Sequence, residues 1–415
     1  MAAVCFDTQK RKSEQQFRVE WVESQASIPR SVWDTCSDSG IEGRWWYETL
    51  EQSGLDDQFR FFYAVIYDHR PIGIAPLFLM DVPIDLVAPE AVAKVFNGLG
   101  RFFPALKYQR TFSVGSPCSD EGWIGLAPGY ELSEVAAVLQ KAIEAKARLL
   151  GAPMIAWKDF PEHFRPALAQ LAQSNNLFKM VSFPGAVLKL PADGQLESYY
   201  KSLKASRRQK IKKKIRVSKA AVDLDLEVIQ RPNSVQREEI FQLFMQTYEK
   251  GKTKFEKLNR EFFAAIADKE PSWFLLQRER KSNKLVAFML CFDLNGRVMN
   301  KFIGLDYSRP TDWFLYFRLW EEAVKWCLLK NAKELQSGQT GYSAKIELGH
   351  QLIALTNYCK HSNPIINKIF ATVAKGISWS SLDQDLAVFL KAHPGEEERP
   401  NLVKQISSSQ KDQKF

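Results

Sequence analysis

Lysine and arginine crowd one stretch of this sequence, KSLKASRRQKIKKKIR (Lys201–Arg216), which contains no acid. Guanidinium forks hold phosphate oxygens through paired hydrogen bonds, so Arg207, Arg208 and Lys212 form a candidate basic wall for a phosphate-bearing substrate. The alternative is a solvated helix face with Arg207 snorkelling at its edge. In QSGQTG (Gln336–Gly341), Gln336, Gly338 and Gly341 make either a phosphate-binding turn ahead of a helix or a plain turn. Asp120 and Glu121, in TFSVGSPCSDEGWIG (Thr111–Gly125), are a carboxylate pair suited to a cationic or amino substrate, or to a solvated loop.

Several other chemistries lack the residues they need. The six cysteines lie far apart, without the spacing of a zinc knuckle or a redox pair, and are expected to be reduced structural thiols. Five scattered histidines suggest no metal site. No Ser or Cys sits in a nucleophile-elbow context. A net charge of +9 and a pI near 9.1 favour anionic partners such as phosphate-bearing ligands, RNA or an acidic membrane surface. The N-terminus lacks the apolar core of a secretory signal and no run reaches membrane-spanning length, so a cytoplasmic protein is expected.

On a helical period, Tyr199, Leu203, Arg207, Ile211 and Ile215 fall near one stripe, so the basic run reads as an amphipathic helix docked on a domain. That argues against a nucleic-acid tail, and no specific DNA binding is expected. The chain also repeats itself. FRFFYAVIYDHRPIGIAPLFL (Phe59–Leu79) and SWFLLQRERKSNKLVAFMLCF (Ser272–Phe292) are both strand, polar turn, strand. Each is preceded by helical material and followed by a helix-like segment and a strand: ELSEVAAVLQKAIEAKARLLG then MIAWKDF, and DWFLYFRLWEEAVKWCLLKN then AKELQSG. Two related α/β (α+β) halves follow, each a mixed, largely antiparallel sheet flanked by helices. Their expected extents are 1–185 and 195–380, meeting near FPGAVLKLPADGQLESYY, with a disordered polar tail over 394–415.

From about Leu196 to Gly349 the chain resembles the GNAT-type (acyl-CoA N-acyltransferase-like) domain of many bacterial predicted acyltransferases, related to the Fem-type peptidoglycan aminoacyltransferases. The resemblance rests on SRRQKIKKKIR, matching an opening basic helix ahead of two helices, a hairpin and a strand. It rests also on LQSGQTGYSAKIELG, matching a Gly-rich turn and a (Tyr/Phe)-Lys-x-x-hydrophobic-Gly segment at Lys345 and Gly349. Here Ala344 precedes Lys345, and the nearest aromatic is Tyr342. The resemblance implies two GNAT-like halves and direct transfer of an acyl group to an amine, with no permanently bound cofactor. The partners are then a small-molecule amine acceptor and an acyl donor: acyl-CoA, a carrier-protein thioester or aminoacyl-tRNA.

Within that reading Lys345 neutralises a phosphate or holds the donor carbonyl, Tyr342 donates a hydrogen bond or packs in the core, and Asp306 is the amine's base or a turn residue. Related acetyl-CoA enzymes carry a glycine-rich pyrophosphate loop. The equivalent turn here, GLDYSRPTDW (Gly304–Trp313), has no further glycine and offers Ser308, Arg309 and Thr311, with Pro310 suited to a first helical turn. CoA is thereby disfavoured against a larger donor. A cell-envelope N-acyltransferase, a Fem-type aminoacyl-tRNA-dependent transferase and a non-catalytic phosphate-ligand or membrane-surface protein are the three functions in play. The amphipathic NPIINKIFATVAKGISW (Asn363–Trp379) would serve the last through a peripheral membrane contact.

Overall fold

The alternation and length of the apolar runs produce two mixed sheets. A computed structural model describes residues 17–37, 43–83, 108–251 and 256–395, so the tail expected at 394–415 lies outside the described residues from 396 onward. The first half runs β1 (Arg18–Val22), α1 (Arg30–Cys36), α2 (Arg44–Gln52), β2 (Arg60–Tyr67), β3 (Pro71–Pro83), β4 (Tyr108–Val114), β5 (Gly125–Leu126), α3 (Leu132–Leu149), β6 (Met154–Pro161), α4 (Arg165–Asn175) and β7 (Phe178–Val181). The second runs β8 (Gly185–Lys189), α5 (Leu196–Ser202), α6 (Ala205–Ala221), β9 (Leu224–Ile229), α7 (Ser234–Lys250), α8 (Arg260–Ala267), β10 (Ser272–Glu279), β11 (Leu285–Leu294), β12 (Arg297–Leu305), α9 (Leu315–Leu329), β13 (Glu334–Ser337), α10 (Tyr342–Glu347), β14 (Gln351–Ile353) and β15 (Leu355–His361). Three helices close the described chain: α11 (Pro364–Ala374), α12 (Trp379–Leu382) and α13 (Gln384–Ala392). None of the described helices is long and apolar enough to cross a membrane.

The first sheet has the order β1-β2-β3-β4-β6-β15-β7, with β5 on β3, and the second β9-β10-β11-β12-β13-β8-β14. The hairpin repeat holds: β2 and β3 correspond to β10 and β11, and in each half the next strand pairs parallel with the strand after the long helix, β4 with β6 and β12 with β13. At the sixth place the repeat is exchanged. The short link after β7 carries β8 into the second sheet, and β15 returns to lie between β6 and β7 of the first. Segments 1–185 and 195–380 therefore each lack one strand of their own sheet.

The halves also share a core. On α2, Trp46 packs on Phe292 and Phe262 at ring separations of 5.9 and 6.2 Å. A second core behind the other face of the second sheet joins Tyr199, Tyr200, Ile211 and Ile215 to Trp320 and Leu319 of α9. The basic run is not one helix. Leu203, buried and extended, ends α5, and α6 begins at Ala205. Gly349, at φ +94°, lies against this corner: a Cβ there would stand 2.5 Å from Leu203 Cδ2.

Candidate active site between diverging strands

β12 and β13 pair from Arg297–Glu334 to Asn300–Ser337 and no further. Two local features separate them. In β12 the register against β11 jumps from Phe302–Leu290 to Asn300–Cys291, leaving Lys301 as the extra residue of a bulge. The phase of the strand changes there: Val298 and Ile303 contact the α9-side core, whereas Met299 and Phe302 contact the core shared with the first half. In β13 the chain turns away at Gly338 toward α10, whose N-cap Gly341 adopts φ +63°. The two strands therefore part at a buried fork, with Lys301 on one arm and Gly338 on the other.

The first half covers this fork. Its loop after β4 is seated by the Gly122 N–H donating to Asp159 O at 2.8 Å, and a Cβ on Gly122 would lie 2.2 Å from Lys158 O. The loop carries Asp120 so close to the turn that a Cβ on Gly338 would lie 2.8 Å from its Oδ1. Asp120 Oδ1 is 3.3 Å from the buried Lys301 Nζ, while its Oδ2 is buried without a hydrogen-bond partner among the described residues. An unsatisfied buried carboxylate oxygen is costly and has acceptor capacity for a water, a cation or a substrate donor. Next to it Glu121 accepts from Gln336 Nε2 at 2.9 Å and Arg297 Nη2 at 3.1 Å. Burial pushes the Glu121 carboxyl upward in spite of Arg297.

Lys345 reaches the same fork from α10. Its Nζ donates to the carbonyls of Gly338 and, at 3.5 Å, Gln339. Burial lowers its pKa to about 8, against the opposing pull of Asp120. Lys345 O is bonded by both the backbone N–H and Nδ1 of His350, at 3.0 and 2.9 Å. A carbonyl can only accept, so Nδ1 carries the proton and Nε2 is the acceptor. That Nε2 is buried and unpartnered, as is Nε1 of Trp320, whose ring centroid lies 4.8 Å from the imidazole. Burial, then Lys345, lowers the His350 pKa to about 3 and keeps the ring neutral. Tyr342 is a core residue: it packs with Trp379 and Leu386, and its hydroxyl donates to Pro184 O at 2.8 Å.

Other expected site residues lie elsewhere. Asp306, just past the far end of β12, accepts from Ser308 N–H at 3.1 Å, Ser308 Oγ at 2.5 Å and Arg309 Nε at 3.0 Å, with Lys284 Nζ at 3.1 Å. Those donors outweigh its desolvation and hold its pKa at about 2, so it is a turn carboxylate rather than an amine's base. Arg309 is also 3.2 Å from Glu279. Pro310 precedes a short 3-10 turn, Thr311–Trp313, and α9 starts only after Phe314. On α6, Lys212 pairs with Glu197 at 3.0 Å and Arg208 caps the Lys201 and Leu203 carbonyls at 3.5 and 3.4 Å, while Arg207 is half-buried. Asp120, Glu121, Gln336, Gly338, Gly341 and Lys345 thus converge, and Asp306, Arg309, Arg207, Arg208 and Lys212 do not join them.

Residues 187–373 match the FemAB-like family model, described as peptidoglycan biosynthesis/recognition. FemX shares the architecture with a TM-score of 0.54 at 11% identity, over 85% of this chain and 100% of FemX. Residues 187–373 are thus similar to the FemAB-like family, and the chain shares the fold of FemX. The L-PGS structure from Bacillus licheniformis aligns over 78% of this chain and 92% of its own at 10% identity and TM-score 0.49. The tandem GNAT protein from the clavulanic acid biosynthesis pathway aligns over 84% and 99%, at 11% identity and TM-score 0.47. No curated protein matches the sequence. The matched region includes Lys345 and both arms of the fork, whereas Asp120 and Glu121 come from outside it.

Sequence reasoning passed over Lys301, Asn300, Glu256 and His350. Asn300 Oδ1 is a further unpartnered buried acceptor at the fork of the strands. Glu256 hydrogen-bonds the Cys118 thiol, and its carboxyl is pushed up by burial despite Lys301 and Lys158. The one available signal was in VMNKFIGL, where polar Asn300 and Lys301 adjoin inside an apolar strand and the alternation slips by one.

Proposed function

We propose that the protein transfers an acyl or aminoacyl group from an activated thioester or ester to a primary amine at the fork between β12 and β13. The observation that carries this reading is the meeting there of a desolvated lysine, Lys345, and a buried carboxylate oxygen without a donor, Asp120 Oδ2. In the step itself the amine lone pair forms the new C–N bond and the carbonyl π electrons move onto oxygen. The bond from carbon to the donor's sulfur or oxygen then breaks with its electron pair. Lys345, as ammonium, donates to the oxygen that becomes negative, where a fixed charge in a dry site acts most strongly. The amine reacts in its neutral form, its ammonium proton having gone to solvent; Asp120 holds it by accepting through Oδ2, takes the N–H proton released as the C–N bond forms and passes that proton to the leaving sulfur or oxygen as the carbonyl re-forms.

For the acceptor, the reading takes an amine of a small molecule or cell-envelope precursor, supported by the description of the matching family. For the donor, an aminoacyl ester or carrier-protein thioester is favoured over free CoA. A pyrophosphate needs free donors in the turn after β12, and there Asp306 already binds the Ser308 N–H and Arg309. The reaction is placed in the cytoplasm as part of the same proposal. The test is incubation with acyl-CoA, acyl-carrier and aminoacyl-tRNA pools and an amine extract, with mass detection of new amides and Lys345→Met as control. Absence of amide from every donor would overturn the proposal.

A further inference from the structure

The helix α11 is firmly attached by one face and leaves an unusual residue set on the other. Asn367 fixes the inner face: its Nδ2 donates to Asn176 O at 3.0 Å and its Oδ1 accepts from His361 N–H at 2.8 Å. Phe370 packs on His361 at 5.8 Å, and Asn363 caps the N-terminus by accepting from the Ile365 and Ile366 N–H groups. With the inner face satisfied, Ile365 and Ile369, one turn apart, point outward at 70% and 54% exposure. They are not residues awaiting a better fit in the core.

The charge around them has one sign. Between Leu348 and Leu382 the sequence contains no aspartate or glutamate, in a chain that holds 48 acids. On α11 and just beyond it, Lys368 and Lys375 are exposed; so is Lys179 on β7, the last strand of the first sheet, against which α11 packs. None of these three lysines forms an ion pair among the described residues, whereas Lys360, nearer the body, pairs with Glu144 at 2.7 Å. Protruding apolar side chains flanked by unpaired lysines suit a surface that is negative at its face and apolar just beneath it.

We propose that the α11 face, through Ile365, Ile369, Lys368, Lys375 and Lys179, docks the protein on an anionic lipid bilayer. Two isoleucines insert at the headgroup boundary and the lysines meet lipid phosphates. The association is peripheral and reversible, since so small an apolar area gives only shallow anchoring. It depends on α11 and its neighbours alone and stands whether or not the transfer chemistry holds.

The test is co-sedimentation of the full chain with phosphatidylcholine vesicles, with and without about a third phosphatidylglycerol. Binding is expected to the anionic vesicles only and to fall steeply in about 0.5 M salt. Ile365→Ser/Ile369→Ser and Lys368→Glu/Lys375→Glu should each lower the partition by roughly tenfold or more. Because these positions are exposed, thermal unfolding should match the parent, which separates lost docking from lost folding. No sedimentation with anionic vesicles, or equal binding by both double variants, overturns the proposal. So does a solution dimer, seen by light scattering, that the isoleucine variant dissociates, because the face then belongs to a second copy.

Discussion

Lys345 should impose an alkaline limb on the transfer rate at an unusually low pH for a lysine. Its pKa is about 8 because burial disfavours the charged form more than Asp120 favours it. If the ammonium supports the developing oxyanion, half of that support remains at pH 8 and about a tenth at pH 9. With amine saturating and already neutral, kcat should fall about tenfold per pH unit above 8. Lys345→Met should lower kcat by about 100- to 1000-fold, the range for one removed oxyanion donor, and abolish the limb. Asp120→Asn should move the limb to lower pH, since the carboxylate holds the lysine pKa up. The same shift affects folding. A lysine whose folded pKa lies below its unfolded value leaves the unfolded chain binding more protons, so stability rises from pH 8 to about 10.5 and the deficit is complete below pH 8. Lys345→Met should therefore stabilise the protein at pH 7 by up to about 3 kcal/mol, less its two carbonyl hydrogen bonds. A limb near the ordinary lysine value, or one that survives Lys345→Met, would refute the assignment.

Other consequences can be checked separately. Gly338→Ala displaces Asp120, because the added Cβ would meet its Oδ1 at 2.8 Å; activity should fall at least tenfold while denaturant unfolding changes by only about 1 kcal/mol. Gly349→Ala combines a strained φ of +94° with a contact of 2.5 Å to Leu203, and should cost about 2–3 kcal/mol in urea unfolding. Asp306→Asn should leave the rate profile between about pH 5 and 9 unchanged. The depressed pKa of Asp306 gives stability present above its unfolded pKa and lost as pH falls toward about 2; the variant should therefore lose about 2 kcal/mol at neutral pH. A chain ending at Ala192 lacks β15 and exposes the edge of β6; it should be insoluble alone and recovered when co-expressed with the remainder, by gel filtration of the complex.

The hairpins and their following helices were legible because each is written locally. Strands such as FRFFYAVIY are bounded by polar turns, and α9 carries its buried Leu319, Ala323 and Cys327 at helical spacing. The exchange of β8 and β15 was not, since both are short strands far in sequence from the strands they join, and their composition names no sheet. The basic run misled in one respect: its apolar stripe continues in phase across Leu203, so the break between α5 and α6 does not show in the pattern. At the site, Lys345, Gly338 and Asp120 were visible as residue types, but their convergence depends on a bulge at Lys301 and a loop delivered from the other half. Asp306 and Arg309 had the right chemistry for a site and found each other instead.

The most direct measurement is a single-turnover assay with a labelled aminoacyl or acyl donor and amine acceptor, comparing parent protein with Lys345→Met and Asp120→Asn. The account predicts amide formed by the parent, a loss of about 100-fold or more in Lys345→Met with the fold intact by circular dichroism, and amine-dependent impairment in Asp120→Asn. Equal amide formation by parent and Lys345→Met would contradict it.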